Sequence, residues 1–201
     1  ITTLLRAGAK LDDRAENGMT PLMSAALSNR NPDVITTLLR AGAKLDDRAE
    51  NGRTPLMYAA ALNQNPEVIT TLLRAGAKLD DRAKNGLTPL MYAAAGNQNP
   101  EVIKLLLNAG AKIDDRDDFG STPLMYAAAG NQNPDVITTL LNAGADPTIK
   151  SKEGKTALDY SQGNAKLKGT SALKALQTVA QNTSTDWVST PSGSYRVERL
   201  W

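Results

Sequence analysis

Cysteine is absent from the 201 residues, and so is histidine. The first absence excludes disulfides and thiolate metal sites but leaves the redox compartment open, because reducing and oxidising spaces both tolerate such a chain. The second removes the commonest general base and metal ligand, and every mechanism built on a thiol and an imidazole goes with the pair. Aromatic residues make up only 4%, with a single phenylalanine. Charge of one sign is not in excess: 23 Lys and Arg stand against 21 Asp and Glu, a net charge of +2, so no strong overall field draws the chain to nucleic acid or to an anionic membrane. No apolar run approaches the roughly 20 residues that cross a bilayer. The sequence does not begin with methionine, which leaves room for a removed leader. A soluble chain is expected, cytoplasmic by default, with secreted or periplasmic placement open.

What is present is repetition. Residues 51–84, NGRTPLMYAAALNQNPEVITTLLRAGAKLDDRAK, return as residues 85–118 with 26 of 34 positions identical. Thr20, Thr54, Thr88 and Thr122 open a Thr-Pro-Leu step every 34 residues, and a worn version, Thr156-Ala157-Leu158, lies 34 further on. A fixed period in this range marks a stacked-repeat architecture, in which each unit is one supersecondary element that cannot bury its apolar side alone. The expected division is a partial first unit at 1–16, full units at 17–50, 51–84, 85–118 and 119–152, a closing unit at 153–177, and a Ser/Thr-rich tail at 178–201. Ile1 to Gly8 aligns with Ile35 to Gly42, so the sequence opens inside a second helix, and that end is expected to fray or to be covered by another molecule.

Within one unit, Thr54-Pro55 is a helix start: the hydroxyl can accept from a first-turn amide, and proline there loses no bond. This predicts a short helix from Pro55 to Leu62. Asn65-Pro66-Glu67 repeats the device, with a carboxylate at the positive helix end, and predicts a second helix from Pro66 to Ala75. Gly76 closes it, and residues 77–82 lead to Asn85-Gly86, a hairpin-type turn signal. The fold class is therefore all-α: a solenoid of helix-loop-helix units joined by hairpin-like arms.

A period of 34 also suits tetratricopeptide repeats, but their long helices and Trp, Gly, Tyr, Ala, Phe, Pro pattern are missing. The unit resembles the ankyrin repeat, on Gly52, Thr54-Pro55-Leu56, Ala59-Ala60, Val68-Ile69, Leu72-Leu73 and Gly76-Ala77, and the resemblance runs over residues 1–177. There are two departures. Met23, Met57, Met91 and Met125 stand where the family usually has histidine, which puts the usual histidine hydrogen bonds between units in doubt. The loop Asn63-Gln64-Asn65 is one residue longer than in the commoner version, and is read as a lengthened loop only.

Leu56, Ala60, Val68, Ile69 and Leu72 read as core. Differences between copies gather at the arms and at the end of the first helix, where packing leaves a position free to vary. The resemblance implies that arms and first helices line a concave side that binds another protein. The expected contact residues are Arg53, Tyr58, Leu62, Lys84, Leu87, Tyr92, Asp118, Phe119, Ser121 and Tyr126. The tyrosines one repeat apart carry two readings, a contact strip or the wall of a groove. Arg14, Arg48, Arg82 and Arg116 form a basic row that suits a phosphate backbone, yet each follows two aspartates that offer pairing within or between units. An anionic partner, nucleic acid or acidic protein, is thus the alternative to a protein held on the concave side, with nucleic acid not expected. A repeat protein designed on a template is a further alternative.

No cofactor, metal or small-molecule substrate is expected. The Asp pairs lack further oxygen donors at loop-ligand spacing, Ala41-Gly42-Ala43 lacks the Lys-Ser end of a phosphate loop, and carboxylates recurring in every unit are a scaffold feature, whereas catalysis needs one unlike constellation. Both tryptophans, Trp187 and Trp201, lie in the tail, which carries two readings: docking in cis, on a neighbour or on a partner, or no role.

Overall fold

Every full unit starts its first helix in the same way. The computed structural model describes residue 3 and residues 7–185, 187–190 and 193–196, with side chains as far as residue 178. In it Thr54 is extended (φ −90°, ψ 166°), its Oγ1 accepts from the Met57 N–H at 3.4 Å, and its own N–H points back at Met57 Sδ at 3.4 Å. Thr20, Thr88 and Thr122 repeat this with Met23, Met91 and Met125. The methionine therefore fills the reciprocal position of a capping box with a thioether in place of a carboxyl or amide, an adaptable but weaker acceptor. In the closing unit Asp159 takes that place. The Thr156 N–H and hydroxyl both donate to its carboxylate at 2.8 Å and hold it below the usual carboxylate range, the backbone bond contributing most.

The first helices are α1 (Pro21–Ser28), α3 (Pro55–Leu62), α5 (Pro89–Gly96), α7 (Pro123–Gly130) and α9 (Ala157–Ser161); the second helices are α2 (Pro32–Arg40), α4 (Pro66–Arg74), α6 (Pro100–Asn108), α8 (Pro134–Asn142) and α10 (Ser171–Thr185). Asn65 Oδ1 caps α4 by accepting from the Glu67 N–H at 3.0 Å, with Pro66 at the first position. At the other end Gly76 (φ +99°) turns the chain, and the Ala77 N–H reaches back to the Leu72 carbonyl at 3.0 Å, the glycine closure that the sequence announces.

The arms are single-turn hairpins. Ala49 N–H donates to the Arg53 carbonyl at 3.1 Å and Gly52 N–H to the Ala49 carbonyl at 2.9 Å. Three residues, Glu50 to Gly52, thus lie between the bonded pair, and Asn-Gly occupies the end of the turn, with glycine as the left-handed bulge residue. Gly52 (φ +79°) is needed twice over: the Lys84 N–H of the next arm donates to the Asn51 carbonyl at 3.1 Å, and a Cβ on Gly52 would stand 2.7 Å from that nitrogen.

Leu56, Ala60, Val68, Ile69 and Leu72 are 0–1% exposed, and with their equivalents they form one continuous core. The first helices pack against one another more extensively than the second helices do. The helix begun at Ser171 continues to Thr185, past the expected boundary at residue 177, and is followed by an antiparallel pair, Trp187–Thr190 with Gly193–Arg196. Trp201 and the side chain of Trp187, with the docking expected of them, lie outside the described residues.

The loop between the helices does more than add length, which corrects the sequence reading. Asn97, fully buried, donates from Nδ2 to the carbonyls of Ala60 and Asn63 in the preceding unit, both at 2.9 Å, while its Oδ1 accepts from the Asn99 N–H at 2.9 Å. Asn63, Asn131 and Asn164 make the same double donation one unit apart. Asn99 adds a bond from its own amide to the Gln64 carbonyl at 3.0 Å. The amide row joins helix-end carbonyls that have no partner inside their own helix.

Candidate protein-interaction face

Tyr58, Tyr92 and Tyr126 follow the capping methionine of each first helix, and the arm of their own unit holds their hydroxyls. Tyr58 and Asn51 exchange hydrogen bonds at 3.2 and 3.3 Å, and Tyr92 donates to Asn85 Oδ1 at 3.1 Å. The residue just past the turn glycine joins the apolar clusters that hold the tyrosines: Met19 packs against the cluster of Tyr58, Leu87 shares a cluster with Tyr92 that Tyr126 adjoins, and the Arg53 guanidinium carbon stands 4.2 Å from the Tyr92 ring centre and 5.7 Å from that of Tyr58.

This arrangement overturns part of the expected contact set. Tyr58 and Tyr92 are 6% exposed and Leu87 5%, with Ser121 also buried. Arg53 of the preceding unit lies over the Tyr92 ring, and these buried residues, as part of the arm-to-helix interface, offer almost no side-chain surface. Tyr126 and Arg53 are half-buried, and Lys84, Asp118, Leu62 and Phe119 are exposed. Leu62 at 56% and Phe119 at 64% are the exposed large apolar side chains among the described residues.

Phe119 owes its freedom to a paired change in the arm that joins the third and fourth full units. In the earlier units the turn asparagine accepts from the backbone two residues on, as Asn51 does from the Arg53 N–H at 3.0 Å, and Asn51 and Asn85 also hold the tyrosine of their unit. At the start of the fourth full unit Phe119 replaces that asparagine, and two residues earlier Asp117 replaces the alanine seen as Ala49 and Ala83. Asp117 Oδ1 then accepts from the N–H groups of Phe119 at 2.9 Å and Ser121 at 2.7 Å, and Oδ2 accepts from the Tyr126 hydroxyl. Burial, and then this bond to a carboxylate, push the Tyr126 hydroxyl well above the ordinary tyrosine value. The turn keeps its polar anchor, and the phenylalanine ring has no duty in the fold.

The basic row is engaged in the stack. Arg82 donates to the Gly86 carbonyl of its own arm at 2.8 Å, to the Arg116 carbonyl of the next arm at 2.9 Å and to Asp115 of the next unit at 2.7 Å. Arg14 and Arg48 repeat the triple contact with Asp47 and Asp81. Of the two readings of these arginines, the geometry is that of pairing between units. Among the described residues no group of three His, Cys, Asp or Glu lies close enough to hold a metal ion, and no helix is long and apolar enough to cross a membrane.

Stacked helix pairs, bonded arms and an interior given over to packing define a repeat solenoid whose freely varying side chains lie at the arm tips and first-helix ends. A family model described as ankyrin repeats (3 copies) matches residues 1–83 and 60–151, most of the chain. The protein belongs to the ankyrin-repeat family. Its members are generally protein-interaction modules and typically not enzymes. No curated protein was found to match the chain.

Proposed function

We infer that the protein binds a protein partner on the side lined by its arms and first helices, with Phe119 and Leu62 as apolar anchors and Lys84 and Asp118 at the rim. The observation that carries this is Phe119: a 64% exposed aromatic at an arm tip, whose expected turn role has been taken over by a neighbouring aspartate. A large ring left in water without a packing role suits a partner's pocket, and aromatic anchors of this kind dominate interface energetics. Arg53 and Tyr126 line the same side with part of their surface. The engagement of Arg14, Arg48, Arg82 and Arg116 between arms weighs against the alternative in which they track phosphates.

The test is affinity purification from the chain's own source with the wild type and with Phe119→Ser and Asn108→Ser, the last on α6, a second helix. Phe119→Ser is expected to leave folding stability within about 0.5 kcal/mol, as for surface changes generally, and to weaken the recovered complex by about 1–3 kcal/mol. Asn108→Ser should change neither. A complex indifferent to Phe119→Ser would refute the assignment of the face.

A further inference from the structure

The residue after the turn glycine is Met19, Arg53, Leu87, Ser121 and Lys155 in successive units. Where it is Met19 or Leu87 it fills the space against the tyrosines as an apolar side chain, and Leu87 is 5% exposed. The fold therefore requires no charge at this position. In the second unit it carries one, and the guanidinium lies over Tyr92 at 4.2 Å with Tyr58 at 5.7 Å.

Arg53 differs from the other arm arginines in what it donates to. Arg14, Arg48 and Arg82 each reach two carbonyls and an aspartate. Among the described residues the Arg53 side chain donates to no acceptor, and its Nε is buried without a partner. Stacking on an aromatic face fixes the plane of a weakly hydrated guanidinium and removes much of its rotamer freedom in advance. The two terminal nitrogens donate to no acceptor among the described residues, and a planar fork of donors matches a carboxylate bidentately. The next arm carries another cationic residue nearby: the backbone and stem of the exposed Lys84 lie beside Gly52, the residue before Arg53.

We propose that Arg53, held by Tyr92 and Tyr58, is the anchor for an acidic side chain of the protein partner, a glutamate or aspartate seated on the guanidinium edge beside Lys84. This rests on the reading of the arm side as the interaction face and specifies the partner's chemistry there. The stacked cation supplies selectivity, while Phe119 and Leu62 supply apolar contact.

The probe is a blocked hexaglutamate peptide, titrated into protein labelled with 15N at arginine Nε, with the Arg53 signal identified by its loss in Arg53→Met. The variant carries the residue that the first full unit uses at this position, Met19, so its melting temperature should stay close to that of the wild type. Hexaglutamate is expected to shift the Arg53 Nε–H saturably and more than those of the exposed Arg40 and Arg74, and hexaglutamine to shift none. Arg53→Met should weaken hexaglutamate binding about tenfold, as for loss of one charge-assisted bidentate pair. An Arg53 shift no larger than those of Arg40 and Arg74 would overturn the proposal. So would an oligothymidylate that saturates the site at lower concentration than hexaglutamate, since the site would then be one for phosphate. A marked fall in melting temperature for Arg53→Met with hexaglutamate binding unchanged would overturn it as well, making Arg53 a packing residue. The titration needs no natural partner, so it can fail while Phe119→Ser still weakens a complex, and the reverse outcome is equally distinct.

Discussion

Replacing Asn97 by alanine removes one side chain and breaks three hydrogen bonds: two donated to the carbonyls of Ala60 and Asn63 across the unit boundary, and one accepted from the Asn99 N–H. The site is fully buried, so water does not replace what is lost at the carbonyls. Leaving a buried polar group unsatisfied costs about 1–3 kcal/mol; two carbonyls give about 2–6 kcal/mol, and partial relaxation brings the expectation to about 3 kcal/mol. Asn97→Asp keeps the volume and the bond to Asn99 but sets a carboxylate against two carbonyl oxygens, so it should cost at least as much. The control is Gln98→Ala, an exposed residue of the same loop, within about 0.5 kcal/mol of wild type. Equilibrium unfolding in urea followed by circular dichroism reads all three. Because stability in a stack is the sum of unit and interface terms, weakening the boundary between the second and third units should also make the transition less cooperative, with a smaller slope in urea. If Asn97→Ala and Gln98→Ala unfold at the same urea concentration, the amide row does not bind the units together.

Arg82→Ala should destabilise by about 1–2 kcal/mol through the two carbonyl bonds, whereas Asp115→Asn, which removes only an ion pair whose arginine is 41% exposed, should cost about 0–1 kcal/mol; equal losses in urea would show that the ion pair dominates. The raised Tyr126 hydroxyl makes a pH prediction: because its folded value lies above the ordinary one of about 10, its stabilisation is fully present below that pH and is lost as pH rises through it. Tyrosinate absorbance in the folded protein should show a late step that Tyr126→Phe abolishes, and tyrosines all titrating together near pH 10 would count against the burial and the Asp117 bond.

What could be read in the sequence was local. Thr54-Pro55, Asn65-Pro66 and Gly76 state their roles within a few residues, since caps and closures are made by neighbours in the chain, and the Thr-Pro-Leu recurrence then supplies the stack. The tyrosines misled because burial there is created by the adjacent unit: Arg53 covers Tyr92, 39 positions away, and nothing in the first helix itself announces that cover. Asn97 was hidden for the same reason, its acceptors lying 34 and 37 residues earlier, where an asparagine in a polar loop looks ordinary. A signal existed in Asn164, which keeps its identity in the closing unit although the residues after it, Ala165 and Lys166, differ from Gln98 and Asn99. The exchange of turn duties between Asp117 and Phe119 was likewise visible as two substitutions in one arm, but only the bonds to Phe119, Ser121 and Tyr126 explain why they occur together.

Photo-crosslinking tests the interaction face most directly. Benzoylphenylalanine placed at Phe119, where it adds bulk to a side chain already in solvent, is expected to form a covalent adduct with the partner, and the same group at Asn108, at the end of the second helix α6, is not. Equal adducts at both positions, or adducts at Asn108 alone, would contradict the assignment of the arm side as the binding surface.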